Sequence, residues 1–421
     1  LVESALTRGA VINALLRAAG ADFVALGNAV PVRYGPQAVA NLAKYFGKPL
    51  LCANMFTLEG DLIPGVIAFQ TLALDALPVA IIGFTATMRD FYTNFFKFPT
   101  REPAEIMPSL IAQARSGGAK TIIALTHIAS TQDAVLAEKV PGIDLIIGGH
   151  DHKRISPPME VNGTLIVQAG EFGQHLGQLD LEIDPLTGRI LSHTHTLIPV
   201  TEDIAEDQSV LDAVSIENQS IDKMMRLKIG ELLIPLPTYD DRESPAGNLQ
   251  ADAVKEHVQG AELSFMVTGH WVNGLEAGDV TQGQLYSANR SAGNPALVHL
   301  TGAQIRKWLI AALDPQNTAK EIHPLRGKKV GLPGLSGMQV TADTADLSSM
   351  RITINNEPLS EERVYRVATT DLEISEILGY LPIPDSQAQY EVPIVLPEII
   401  EEYIKKHTPI QTVEMGRLVL K

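Results

Sequence analysis

Two α/β domains in series are what the 421 residues predict, and three observations predict them. Helical and strand patterns alternate through the first half of the chain. Three short apolar runs in that half each finish on a polar residue able to hold a metal. A polar helical stretch then separates this half from a second one with the same alternation. The length is long for one hydrophobic core and comfortable for two.

Residues 10–20 (AVINALLRAAG) carry apolar side chains at helical spacing and end on glycine, so a helix is expected there. A short apolar run, residues 22–26 (DFVAL), follows and stops at Gly27-Asn28; it reads as a strand. The spacing predicts another helix over residues 103–115, across the internal Pro108. Residues 120–126 (KTIIALT) read as a buried strand ending at His127, and residues 143–147 (IDLII) as a strand ending in Gly148-Gly-His-Asp-His152. Open α/β sheets place their sites at the carboxyl ends of strands, which is where these polar residues fall. A strand over residues 164–169 comes next. The polar stretch 201–227 predicts a helix between domains, which sets the expected division at 1–200, 201–228 and 229–421.

With 45% hydrophobic and 19% charged residues, the composition is that of a folded, water-soluble chain. A formal net charge of −16 disfavours nucleic acid and anionic membranes as partners. No apolar run reaches the roughly 18–20 residues a membrane span requires. Acidity still permits a small phosphorylated substrate if metal ions supply positive charge locally. Cys52 is the single cysteine, so no intrachain disulfide is expected. The chain opens at Leu1 within a helical pattern, and its true start is expected upstream.

His150 and His152 form an H-x-H pair after two glycines, which let backbone approach an ion closely. His127 alone, at a strand end, reads more readily as structural, and Asn28 alone as a turn residue. Taken together they form an N/O donor set suited to Zn²⁺, Mn²⁺ or a related ion. His193 and His195 repeat the H-x-H spacing but fall mid-strand in an alternating polar pattern, where a structural role is expected.

Thr126-His127, Gly148-Gly-His-Asp-His152 and Gly27-Asn28 resemble the calcineurin-like metallophosphoesterase domain of 5′-nucleotidases. Glu243-Ser-Pro-Ala-Gly-Asn-Leu249 is similar to the E-S-x-x-G-N-L signature of their C-terminal domain. Gly278-Asp-Val-Thr281, Leu300-Thr-Gly-Ala-Gln304, Leu335-Ser-Gly-Met-Gln-Val340 and Tyr365-Arg-Val-Ala-Thr-Thr-Asp371 follow in the family's order. The resemblance implies a four-layer metallophosphoesterase sandwich, truncated at its start, joined by a linker helix to an α/β substrate-binding domain. It also implies two divalent ions, Mn, Zn or similar, with Asn28, His127 and His150 on one and His152 on the other. Water would attack phosphorus directly. The implied substrate is a small phosphate ester, a nucleotide by family. The implied compartment is the cytoplasm, with a periplasmic or extracellular location as the alternative.

The chain departs from the family pattern in three places. The D-x-H and G-D motifs that carry further ligands, including a bridging aspartate, would precede Leu1. The family's G-N-H-E reads Gly27-Asn-Ala-Val30, so Ala29 stands where a transition-state histidine is usual; Arg33 is the nearest candidate substitute. Such a lost hydrogen bond costs roughly 10²–10³ in rate. In the second domain Asn273 replaces an expected arginine, and the stretch 290–294 keeps Asn294 but loses a phenylalanine. Asn273, Asn294 and Tyr380 are the substrate-contact candidates there, although Tyr380 and Trp271 read more readily as core. Two functions stay open: a hydrolase of phosphate monoesters, and a degenerate member that binds a nucleotide-like ligand or metal with little turnover.

Overall fold

The computed structural model describes residues 2–74, 77–87, 98–322, 325, 328–375, 378, 380, 383–384, 387–391 and 393–421. Their contacts divide the chain into two compact units, one of residues 8–217 and one of residues 1–7 with 218–421. The mixed α/β architecture expected from the alternating patterns is present in both.

The unit of residues 8–217 is built on a six-stranded sheet. Its strands are β3 (Phe69–Leu74), β4 (Leu77–Thr85), β5 (Thr121–His127), β6 (Leu145–Ile147), β7 (Arg154–Val161) and β8 (Thr164–Ala169). They lie in the order β3-β4-β5-β6-β8-β7, with β4, β5, β6 and β8 parallel and the two edge strands antiparallel. Strands buried on both faces must be apolar throughout, which is why β5 and β6 read as continuous runs. On one face Ile82, Phe84, Ile122, Ala124, Ile146 and Ile166 pack with the helices Pro103–Ser116 and Ser130–Lys139. On the other, Leu145, Leu165 and Val167 meet Leu179, Leu181 and Ile190. Those three belong to a hairpin of β9 (His175–Ile183) and β10 (Ile190–Pro199). His193 and His195 lie within β10, as the alternating pattern suggests.

The helix Pro103–Ser116 starts with proline in its first turn, where a missing N–H costs nothing. Pro108, further in, gives up a bond to the Ala104 carbonyl, and it does so on an exposed position. The expected strand at residues 22–26 is a correction: it makes only a single bridge, Ala25 to Leu51, with backbone bonds Leu26 N to Leu51 O and Leu51 N to Val24 O. Its partner β1 (Leu50–Leu51) is two residues long and is itself paired with β2 (Val66–Ile67), so no longer ladder can form. Cys52, just after β1, is buried and not in a disulfide.

The helix Gln208–Met225 contains the point where the two units divide. In the second unit β12 (Leu263–Val267), β14 (Pro295–Thr301), β15 (Pro333–Ser336), β19 (Val364–Thr370) and β20 (Ala388–Tyr390) form a sheet in the order β15-β12-β19-β14-β20. A four-stranded sheet contains β16 (Met338–Asp343), β17 (Asp346–Ile354), β18 (Glu357–Pro358) and β21 (Leu418–Leu420). The helix Pro245–His257, capped by Ser244 Oγ accepting from Gly247 N, lies against β15. There Gly247 and Gly334 allow backbone to touch backbone: a Cβ on Gly334 would sit 2.1 Å from the Gly247 carbonyl oxygen.

The Glu243-to-Leu249 stretch works as a staple. Asn248 Nδ2 donates to Glu243 Oε1 at 2.8 Å and to the Glu414 carbonyl at 3.0 Å, while its Oδ1 accepts from Leu335 N. Glu243 in turn accepts from Gly416 N and Arg417 N at 2.7 and 2.8 Å. Arg417 closes the motif with a two-pronged pair to Asp252.

Candidate functional site

Three of the predicted donors converge in the first unit. Asn28 begins the helix Ala29–Tyr34, His127 ends β5, and His150 lies in the loop that follows β6. His127 Nε2 is 3.0 Å from Asn28 Oδ1 and 3.2 Å from His150 Nδ1. The two imidazoles meet edge to face with centroids 4.9 Å apart. Burial, then the neighbouring His150 and His152, push His127 down to about 4. Burial also lowers His150. Both rings are therefore neutral at neutral pH, with a lone pair available in place of a second proton.

The loop that presents His150 and His152 is strained. His150 has φ 92° and His152 φ 61°, and Ala129 opposite has φ 80°. Left-handed backbone outside glycine costs on the order of 1–3 kcal/mol per residue and persists where surrounding contacts over-determine it. Those contacts are visible. Asp151, between the histidines, accepts from Ser130 N (3.0 Å), Ser130 Oγ (2.5 Å) and Gln168 Nε2 (2.8 Å). Burial pushes Asp151 up, but these hydrogen bonds outweigh it and hold the carboxyl below its ordinary range. The Ala129 amide donates to the Gly149 carbonyl. Gly148 has no room for a side chain, because a Cβ would lie 2.4 Å from Asp133 Oδ2. Asp133 is itself anchored by a hydrogen bond from Thr126 Oγ1 at 2.7 Å, and burial pushes its carboxyl up to about 7.

His152 faces a different partner. Its Nδ1 lies 2.7 Å from Glu171 Oε2, in the loop between β8 and β9. A carboxylate at Nδ1 holds the proton there and leaves the lone pair on Nε2, the arrangement that supports histidine ligands. Neither Asp151 nor Glu171 is identifiable from residue type alone. Asp151 was legible only as the middle of G-G-H-D-H, and Glu171 carried no motif.

The donor set suits one divalent cation through Asn28, His127 and His150: three neutral N/O atoms lie within 3.0–3.2 Å along the chain of contacts. Among the described residues no group of three or more histidines, cysteines and carboxylates is placed to hold a metal ion. Ala29 is exposed at the helix start beside Asn28.

The second unit disposes of its candidates differently. Tyr380 is 4% exposed and packs against Phe265 and Trp308, with ring centroids 5.9 and 6.3 Å away. That burial leaves no ring face for a base to stack on. Asn294 is also buried: its Nδ2 donates to the Ile394 carbonyl at 2.6 Å and its backbone N–H to Asp371 Oδ1 at 3.1 Å. Asn273 alone is exposed, on a cavity of about 400 Å³ lined also by Met225, Leu275, Gln284 and Ser287. Between the ends of β12 and β19 sits a pair the residue types did not announce. His270 Nε2 lies 2.9 Å from Glu373 Oε1, and neither side chain reaches solvent. Glu373 also accepts from Val267 N and from the Thr370 hydroxyl. The capping spacing Thr370-x-x-Glu373 was the available signal for it.

Comparison with known proteins shows what the chain is similar to. Residues 228–380 match the model of the 5′-nucleotidase C-terminal domain. An uncharacterized metallophosphoesterase, YunD of Bacillus subtilis, is 24% identical over 385 residues, covering 90% of this chain and 83% of that protein. A 5′-nucleotidase of Vibrio parahaemolyticus is 24% identical over 458 residues, covering 94% and 77%. In fold, the crystal structure of a 5′-nucleotidase precursor from Thermus thermophilus superposes with TM-score 0.59 at 21% identity, over 99% of this chain and 87% of that one. Among the described residues no helix is long and apolar enough to cross a membrane. The matched C-terminal domain, the relatives along nearly the whole chain and the shared fold agree: residues 228–380 form a 5′-nucleotidase C-terminal domain, and the chain as a whole is similar to 5′-nucleotidases.

Proposed function

We propose that the chain hydrolyses a phosphate monoester, a nucleotide or a nucleotide-like metabolite, at the cluster of Asn28, His127, His150 and His152. The observation that carries this reading is the convergence of Asn28 and His127 with His150, whose own backbone is held in left-handed conformation. Strain of that kind, fixed by Asp151 and Ser130, supports a functional loop more readily than a purely structural one. The names of the relatives, a metallophosphoesterase and a 5′-nucleotidase, support the same reaction class.

Asn28, His127 and His150 would hold one divalent cation and His152 would face a second, with residues 1–200 as the metal-holding domain, 201–228 as the linker helix and 229–421 as the substrate domain. Such a cation supplies a Lewis acid for phosphate oxygens and acidifies a water. The chain's own contribution is to keep donors neutral and fixed. His127, pushed down to about 4, stays unprotonated. Glu171 holds the His152 ring by its Nδ1, and Asp151 locks the loop to the helix Ser130–Lys139. Water adds to phosphorus, the bond to the leaving oxygen breaks, and that oxygen leaves as the alcohol after taking a proton.

The degenerate reading is favoured by one pair of observations: Ala29 stands at the usual histidine position, and among the described residues no group of three or more histidines, cysteines and carboxylates is placed to hold a metal ion. Phosphate release from nucleoside monophosphates and sugar phosphates, with Mn²⁺ or Zn²⁺ added, separates the two. The hydrolase reading expects release that depends on metal and falls at least ~10²-fold in His150→Ala. A folded protein that binds metal yet releases no phosphate establishes the binder.

A further inference from the structure

The loop joining β8 to β9 exposes an aromatic ring beside the histidine cluster. Phe172 is 80% exposed and has φ 56°. Gly170 and Gly173 around it have φ 93° and 69°. A bulky residue rarely adopts left-handed backbone, and a large exposed aromatic has lost the burial that usually justifies it. Here both occur at one position. The same loop carries Glu171, whose carboxylate holds His152 at 2.7 Å, so the ring is tied to the site by its immediate neighbour. Phe172 stands edge to face with His152, centroids 6.0 Å apart. The loop is short, and the Gln174 amide bonds back to the Glu171 carbonyl at 3.1 Å, so the ring's position is set by the backbone.

We infer that Phe172 is a specificity-determining residue of the hydrolytic site, giving a stacking face to an aromatic leaving group of the phosphate ester. This rests on the proposed reaction at Asn28, His127, His150 and His152. It adds a contact from the first unit to the recognition of the organic half of the ester. The buried Tyr380 and Trp271 of the second unit offer no exposed ring for that purpose. A phosphate ester with its phosphorus at the histidines would bring its leaving group toward the Phe172 ring, whose centroid is 6.0 Å from that of His152. Stacking on an aromatic side chain is tolerant of ring identity, so aryl esters and nucleotides alike are favoured over esters of sugars or glycerol.

The test compares the full chain with Phe172→Ala and Phe172→Trp, all with Mn²⁺, on p-nitrophenyl phosphate and glycerol 2-phosphate. The ratio of kcat/KM for the aryl over the alkyl ester is expected to fall roughly ten-fold in Phe172→Ala, chiefly through KM, and to be kept in Phe172→Trp. Leu186→Ala removes an equally exposed apolar side chain from the β9–β10 turn and should leave the ratio alone. Equal losses on both esters in Phe172→Ala, or none, overturn the assignment while leaving the hydrolase reading intact. Absence of His150-dependent release in the unsubstituted chain overturns both together.

Discussion

His127 and His270 stand near the ends of parallel strands in their respective sheets, and they have come to opposite arrangements. His270 is enclosed, paired with Glu373 at 2.9 Å, and neither side chain reaches solvent. His127 is half-buried and has Asn28 and His150 for neighbours, at 3.0 and 3.2 Å. A strand end thus offers a site, and what surrounds the polar group decides its use. A carboxylate that pairs with one ring nitrogen in the interior makes the imidazole part of the fold. A neutral ring beside a strained loop is the arrangement on which the proposed site rests.

The comparison breaks most sharply at Glu373. Glu373→Ala strips a buried pair of one partner and should destabilise the second unit by about 3–5 kcal/mol. Urea unfolding followed by tryptophan fluorescence reads this, since Trp271 and Trp308 both lie in that unit. A change below ~1 kcal/mol would mean that His270 finds another partner at no cost.

Asp371, beside the same pair, gives a pH test. Burial, and then Glu373, push its carboxyl from an ordinary 3.8 up to about 7. The neutral form is favoured in the fold, so this stability is complete below about pH 4 and is lost as pH rises toward about 7. Asp371→Asn should flatten the dependence of second-unit stability across that window. In the first unit Asp133, pushed up to about 7, has the same sign. His127, pushed down to about 4, has the opposite one: its contribution is lost as pH falls from 6.5 to about 4. The two offset each other, and the first unit should show the shallower slope. An equal slope in both units would contradict this.

Smaller effects sharpen the first-unit side. Glu171→Gln keeps shape but removes the charge at His152 Nδ1, and titration calorimetry with Zn²⁺ should show affinity lowered ~10–100-fold. Unchanged affinity would make the Glu171 contact a surface pair and nothing more. His150→Gly relieves φ 92° and should raise stability toward urea by about 1 kcal/mol while metal binding is lost. Loss of stability in that variant would show the loop to be unstrained.

How much of this could be read from the residues follows the same division. His127 and G-G-H-D-H were legible because apolar runs ended on them, and periodicity marks strands well. The segment 22–26 misled because it has the same composition as a strand, while its only partner, Leu50–Leu51, is too short to pair with more of it. His270 was invisible as a buried group because its partner lies 103 residues later and enters only through the fold. Asn294 and Tyr380 were quoted for the residue types a binding site uses, yet type carries no information on depth. Tyr380 turned inward because Phe265 and Trp308 complete an apolar surface for it. The positive φ at His150, His152 and Phe172 has no residue signature at all, since strain shows only where surroundings enforce it.

The Glu243 staple also sets an order of events during synthesis. Its hydrogen bonds join residues 166 to 174 positions apart. A ribosome adding roughly 5–20 residues per second delivers the second half of that contact on the order of ten to thirty seconds after the first. Through that interval the helix Pro245–His257 has its first turn in place and its anchor still unmade. A nascent chain halted before Glu414 should therefore be cut by protease near residue 243, and one extended past Arg417 should resist.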